Sequence, residues 1–290
     1  MKDKLRRILW IAAAVILVIN GGWFAMERLG PHPVLTQNTE VHFIDVGQGD
    51  AALVLSGGQA VLIDAGTAES GPALVRYLEQ TGVTRLYAAI ASHPHADHIG
   101  GMAQVLARFP VERFYLGPET QNTSSYTDML DALEDQGVRP TVPADGDTLS
   151  FASGAAITFL GPADDVPADN LNNRSLIALF STGTQSVLFM GDAEAAAEQS
   201  LLAHHPSLCC DVLKVGHHGA ATSSSVEFLR TVHPSTAVIS CGLDNDYGHP
   251  SDQTLQNLSL AGVNDVRITA EDHTIVIPLN PPSSSKENAA

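Results

Sequence analysis

The sequence predicts an α/β fold in which two sheets pack face to face with helices outside, a four-layer αβ/βα sandwich preceded by one N-terminal transmembrane helix. Three observations predict it. A meander of short apolar runs begins near residue 40, alternating helix and strand patterns follow, and the second half of the 290-residue chain repeats that style. A 19-residue apolar run, Ile8 to Met26, precedes all of it.

That run has Asn20 as its only strongly polar side chain. At a rise of about 1.5 Å per residue it matches a hydrocarbon core of roughly 30 Å. Residues 1–7 are read as a basic cytoplasmic stub, 8–26 as an uncleaved signal anchor and 27–39 as a proline-punctuated linker. The folded domain is expected over 40–280 and a disordered tail over 281–290. The expected location is thus the cell membrane, single-pass, with the domain extracytoplasmic, or secreted if the anchor is cleaved.

Within the domain, runs starting at Val41, Ala51 and Ala60 are strands separated by the Gly-rich turns GQGD and GG. Pro72 to Gln80 is a helix with Leu74, Val75 and Leu78 on one face, and Leu86 to Ser92 is a buried strand. Helices follow over Ile99–Phe109, closed by Pro110, and Tyr126–Gln136, closed by Gly137. In the second half, antiparallel strands Ser175–Ser181 and Ser186–Met190 flank a GTQ turn. Helices over Ala193–Leu202, Ser224–Val232 and Asp252–Ala261 alternate with strands over Asp211–Val215 and Thr236–Ser240. A hairpin over Val266–Pro278 is expected to close the domain.

Hydrophobic residues make up 44% of the chain, which is enough to bury a core and excludes disorder as its main state. The charge is lopsided, 15 Lys and Arg against 32 Asp and Glu. Five of the basic residues (Lys2, Lys4, Arg6, Arg7 and Arg28) and only two acids fall in the first 28 positions, leaving 10 basic against 30 acidic residues elsewhere. Extensive electrostatic binding of nucleic acid is therefore not expected. Cys209, Cys210 and Cys241 are too few for a disulfide framework and read as buried small hydrophobes.

The densest polar cluster is His93-Pro-His95-Ala-Asp97-His98, at the end of a buried strand. Four nitrogen and oxygen donors in six residues suit a Zn, Mn or Fe site, and the lack of thiolates argues against a closed structural zinc. Other ligand types also follow strands: Asp64 after AVLI, Asp192 after SVLFMG, His217 and His218 after VLKVG, and His249 after AVIS. Strand ends in such sheets share an edge, so these side chains are expected to converge. Asp50 is expected to cap amides of its turn, and Lys214 reads as a solvated edge residue.

His93, His95, Asp97 and His98 match the HxHxDH signature, and the chain resembles the metallo-β-lactamase fold superfamily. Phe43-Ile-Asp-Val-Gly-Gln-Gly-Asp50, Gly191-Asp-Ala193, Lys214-Val-Gly-His-His-Gly219 and Tyr247-Gly-His-Pro250 resemble the branch found as the extracellular domain of ComEC-type competence proteins. The resemblance runs from about Val41 to Pro278. It implies two divalent metal ions, Zn or Mn, with His93 and His95 on one, Asp97 and His98 on the other, and Asp192 bridging. It also implies that His217 completes the second ligand set, while His218 or His249 donates a proton or contacts a phosphate oxygen. An arrangement like that of ribonuclease-like members would make His249 the ligand instead. Asp64, Asn172, Asn173 and Gln48 are implied outside the ligand set, with Asn172-Asn173 standing where many members carry a histidine ligand.

The implied activity is hydrolysis by a metal-bound hydroxide, most simply of a phosphodiester, as in a nuclease-like enzyme. Expected substrates are a small phosphodiester, a cell-wall phosphoryl group or a single-stranded nucleic acid. A lactone, thioester or lactam is the alternative, and a non-catalytic envelope module the third reading.

Overall fold

The computed structural model describes residues 35–162 and 165–280. Among these no helix is long and apolar enough to cross a membrane. The apolar run at 8–26 and the tail at 281–290 lie outside the described residues.

The described residues form two seven-stranded mixed sheets. The first comprises β1 (Thr39–Phe43), β2 (Ala52–Ser56), β3 (Gln59–Ile63), β4 (Ala88–Ala91), β5 (Phe114–Leu116) and β6 (Pro140–Thr141). The second comprises β7 (Thr148–Ser150), β8 (Ala156–Gly161), β9 (Ile177–Ser181), β10 (Ser186–Phe189), β11 (Val212–Lys214), β12 (Thr236–Ile239) and β13 (Asp265–Ile268). The last strand, β14 (Ile275–Leu279), returns to pair with β1.

Each sheet is antiparallel on one side and parallel on the other. The antiparallel parts are β14-β1-β2-β3 and β7-β8-β9-β10. The parallel parts are β3-β4-β5-β6 and β10-β11-β12-β13. Parallel neighbours need crossover connections, and the helices supply them. Helix Gly71–Gln80 joins β3 to β4, Ala195–His204 joins β10 to β11, and Val226–Val232 joins β11 to β12.

Alternate residues of each strand face opposite layers, so three apolar layers result. Between the sheets, Val41, Phe43, Val54, Val61 and Ile90 meet Phe159, Phe180, Val187 and Phe189. The Phe43 and Phe189 rings bridge the layer at 5.9 Å. The opposite face of the first sheet, including Leu53, Leu62 and Ala89, packs on Leu74, Leu78, Met102 and Met129 of its helices. The second sheet does the same, with Leu188 and Leu213 against Leu201, Phe228 and Leu258. Four layers follow, helix-sheet-sheet-helix.

Three local expectations change. The helix expected over Ile99–Phe109 is two helices, Ala96–Ile99 and Met102–Arg108, because the chain bends at Gly100-Gly101, where the Gly101 amide bonds Gly66. The expected Val266–Pro278 hairpin does not form. β13 extends the second sheet and β14 the first, with the short helix Thr269–Asp272 carrying the chain between them. Strands β5 to β8 are short or partly exposed, which left little apolar periodicity to read.

Phe180, fully buried between the sheets, provides a test of this layer. Phe180→Ala is expected to cost about 3–5 kcal/mol, read as a lowered urea midpoint; a loss below about 1 kcal/mol would contradict the packing.

Candidate metal centre

Both sheets end their parallel strands at one edge, and the polar motifs leave from those ends. β3 runs into Asp64, β4 into Ser92 and His93, β10 into Asp192, β11 into His217 and His218, and β12 into Ser240. Glycine permits the close backbone approaches at this edge. Gly49, with φ +149°, passes so near the 93–98 loop that a Cβ would strike the Asp97 carbonyl. Gly191, with φ +52°, turns the chain after β10 where a side chain would meet Ser175 and Ser92. Asp64, His217 and His218 also adopt left-handed φ values of 57°, 47° and 53°. Such conformations cost about 1–3 kcal/mol each and are held only by surrounding contacts.

Asp64 has such contacts. Its carboxylate accepts from the Ser92 amide at 2.7 Å and the Ser92 hydroxyl at 2.7 Å, and it faces His98 Nδ1 at 2.8 Å. Fixing Nδ1 turns His98 Nε2 toward Asp192, 3.1 Å from Oδ1. A carboxylate behind a histidine in this way sets ring orientation and basicity. His218 is fixed differently: Nδ1 donates to the Ser240 carbonyl at 2.9 Å, so Nε2 faces Asp97 at 3.2 Å and Asp192 at 3.6 Å.

Two groups of donor atoms result, each within 4.8 Å of one another: His93, His95 and Asp192, and Asp50, His98, Asp192 and His218. Asp192 belongs to both. His98 Nε2, Asp192 Oδ1 and Asp50 Oδ1 are buried without a hydrogen-bond partner. Unpartnered buried polar atoms facing one another cost free energy unless something binds them. Imidazole and carboxylate donors around shared space fit two divalent cations.

The charges agree with that reading. Burial and the neighbouring His98 hold His93 well below the usual imidazole range. Burial likewise lowers His95 and, with His218 and His217 nearby, His249. For His98 burial would act downward, but Asp192 and Asp64 raise it well above the usual value. His218 is also raised, by Asp192 and Asp97 against burial. Against its own burial, Asp192 is pushed well below the carboxylate range by His98, His218 and His93. Asp97 is lowered too, through its bond to His218. The carboxylates thus favour positive charge beside them, which bound cations would supply.

The remaining expected residues are placed as follows. His217, turned away from His218 by their successive left-handed conformations, lies 3.9 Å from Asp192. Its Nδ1 faces Glu194 at 3.0 Å. Asn172 packs beside His217, its Nδ2 3.3 Å from His217 Nε2, while its own Oδ1 is buried and unpartnered. Asn173 is committed elsewhere, accepting from the Glu194 and Ala197 amides at 3.0 and 3.3 Å. Gln48 accepts from the Gly242 amide at 3.0 Å and ties its turn to the loop after β12. His249 stacks over His218, ring centres 6.2 Å apart, with its Nδ1 unpartnered.

Three residues enter unexpectedly. Glu194 gathers His217, Asn170, Asn172 and Thr222 around its carboxylate. Asp50 joins the donors instead of capping its turn, and Lys214, far from being solvated, is buried and pairs with it at 2.7 Å. The position of β11 carried the signal for Lys214, since a lysine in a strand paired on both sides, with β10 and β12 of the same sheet, and buried throughout has no solvent to reach.

Residues 44–243 match the profile of the metallo-beta-lactamase superfamily. The chain is similar to ComE operon protein 3 of Bacillus subtilis, 33% identical over 279 residues, covering 89% of this chain and 36% of that protein. It is also similar to competence protein ComA of Neisseria gonorrhoeae, 29% identical over 269 residues, covering 88% and 36%. The chain thus spans about a third of the length of these relatives. Among solved structures, the metallo-beta-lactamase fold protein YhfI from Bacillus subtilis superposes with a TM-score of 0.57 at 15% identity, covering 83% of this chain and 99% of that one. With the profile spanning more than half of its residues, the chain belongs to the metallo-β-lactamase superfamily.

Proposed function

We propose that this chain is a metal-dependent phosphodiester hydrolase, anchored in the cell membrane by residues 8–26 with its catalytic domain outside the cytoplasm. The observation that carries the activity is the convergence of two donor groups on Asp192, with buried donor atoms left unpartnered. Nitrogen and oxygen donors without thiolate favour Zn or Mn. Bound there, two such cations would polarise a phosphoryl oxygen and lower the pKa of a water.

The chain's own residues divide the remaining work. His93 and His95 would hold one cation, His98, Asp97 and His218 the other, and Asp192 both. This reading exchanges the roles expected for the adjacent histidines, because His218 is the buried one and faces the donors. His217, a quarter exposed and held by Glu194, stands at the rim and would deliver a proton to the leaving oxygen. Asp64 keeps His98 Nε2 directed at the centre. Asn172, beside His217 and with its Oδ1 buried and unpartnered, would offer a neutral oxygen to the site or its water.

Two considerations favour a phosphodiester over a carbonyl substrate. The curated relatives include a protein named for competence, and Asn172 stands where many superfamily members place a histidine. The acidic body favours a small phosphodiester, a cell-wall phosphoryl group or a short single-stranded segment over a long duplex. Cations at the edge would reverse the local sign where the phosphate binds. The basic residues before the 8–26 run and the acidic region after it support the proposed orientation.

Metal-loaded full-length protein is expected to cleave bis(p-nitrophenyl) phosphate or single-stranded DNA while leaving a lactone and nitrocefin largely intact. Turnover of only the latter two would replace the phosphodiester reading by a carbonyl one. For the two histidines, His218→Ala is expected to lose a bound cation together with activity. His217→Ala should retain its cations and lose kcat by roughly 10²–10⁴. Loss of cation from His217→Ala and not from His218→Ala would reverse the assignment.

A further inference from the structure

Behind the donor atoms, Lys214 closes β11 with its side chain buried at 4% exposure. Its Nζ donates to the Val215 carbonyl at 2.8 Å and to Asp50 Oδ2 at 2.7 Å. Asp50 is 5% exposed, and its other oxygen is unpartnered and lies 3.8 Å from His218 Nδ1. The Asp50 carboxylate stands within 4.8 Å of the donor atoms of His98, Asp192 and His218. The pair borders a small cavity of about 10 Å³ also lined by Asp64, Phe189 and Ser240.

Packing alone does not call for these ions. Apolar side chains of similar size would fill the space at equal or better stability, since desolvating two charges offsets most of their attraction. What an ion pair contributes here is charge beside a cation site. With Lys214 on Oδ2, Asp50 is neutralised and kept from reaching inward as a further anionic ligand. We propose that Lys214 sets the cation affinity of the His98-Asp192-His218 group by holding Asp50 as its counter-ion. This rests on the metal-binding reading above and extends it to a buried pair behind the donor atoms.

The proposal gives opposite signs for the two partners, which a purely structural role would not. Lys214→Met leaves a free carboxylate beside the donors and is expected to tighten cation binding at least about tenfold. Asp50→Asn leaves an unpaired ammonium there and is expected to weaken binding by a similar factor. A unit charge about 5 Å away in a partly screened interior is large enough for either change. The double variant Asp50→Asn/Lys214→Met, neutral at both positions, should return close to the parent.

The experiment measures the Kd of Mn²⁺ and of Zn²⁺ for full-length protein and the three variants by competition with a chelating dye, with thermal melts of the metal-free proteins to confirm folding. Opposite shifts with recovery in the double variant are the expected result. Weakening in both single variants, or shifts below about twofold, would overturn the proposal while leaving the metal centre in place. Absence of divalent-cation binding by the parent would instead remove the centre itself and the proposal with it. If Lys214→Met does not fold, weakening in Asp50→Asn and its reversal in the double variant provide the same test of sign.

Discussion

One buried carboxylate organises this protein. Asp192 lies within 4 Å of four imidazoles: His98 at 3.1 Å, His93 and His218 at 3.6 Å, and His217 at 3.9 Å. An isolated carboxylate could not remain ionised there, so its burial requires positive charge nearby, from imidazolium protons or from metal ions. The rest of the architecture meets that requirement. Two sheets bring two strand edges together, glycine lets the Gly49 turn approach the 93–98 loop, and left-handed backbone at Asp64, His217 and His218 aims the side chains.

Around that centre the supporting carboxylates have different partners. Asp64 serves His98, Glu194 serves His217, and Asp50 serves Lys214. Two rings and an ammonium are thus held by an acid behind them, while His218 is held by the Ser240 carbonyl. The acidic composition, read first as a bar to polyanion binding, includes the buried carboxylates that face the histidines of this centre. Most of the acids lie on the outside, however, and there they still disfavour a long nucleic acid.

How much of this could be read from the sequence depends on whether a feature is local. The 93–98 loop was legible because its four donors are contiguous and follow a buried strand. Asp64 and Asp192 were legible because each ends an apolar run. The meander and the strand-helix alternation announced both sheets. By contrast, the partners of Asp50 and Glu194 lie 164 and 23 positions away, as Lys214 and His217, and no spacing rule pairs them. Which of two neighbouring histidines faces the donors depends on two successive positive φ values, which the motif does not display. The closing strands failed as a hairpin for a similar reason. The pairing of β14 with β1 is set by closure of the first sheet around its inter-sheet core, not by the turn at 269–273.

The central claim is that the charge of Asp192 is there to be shared by metal ions. Metal content of the purified full-length protein, compared with Asp192→Asn, tests it most directly. The account predicts up to two Zn or Mn per chain in the parent and loss of both classes of site in the variant, with the fold preserved by circular dichroism. A parent that binds no divalent metal, or a variant that binds it as well as the parent, would contradict it.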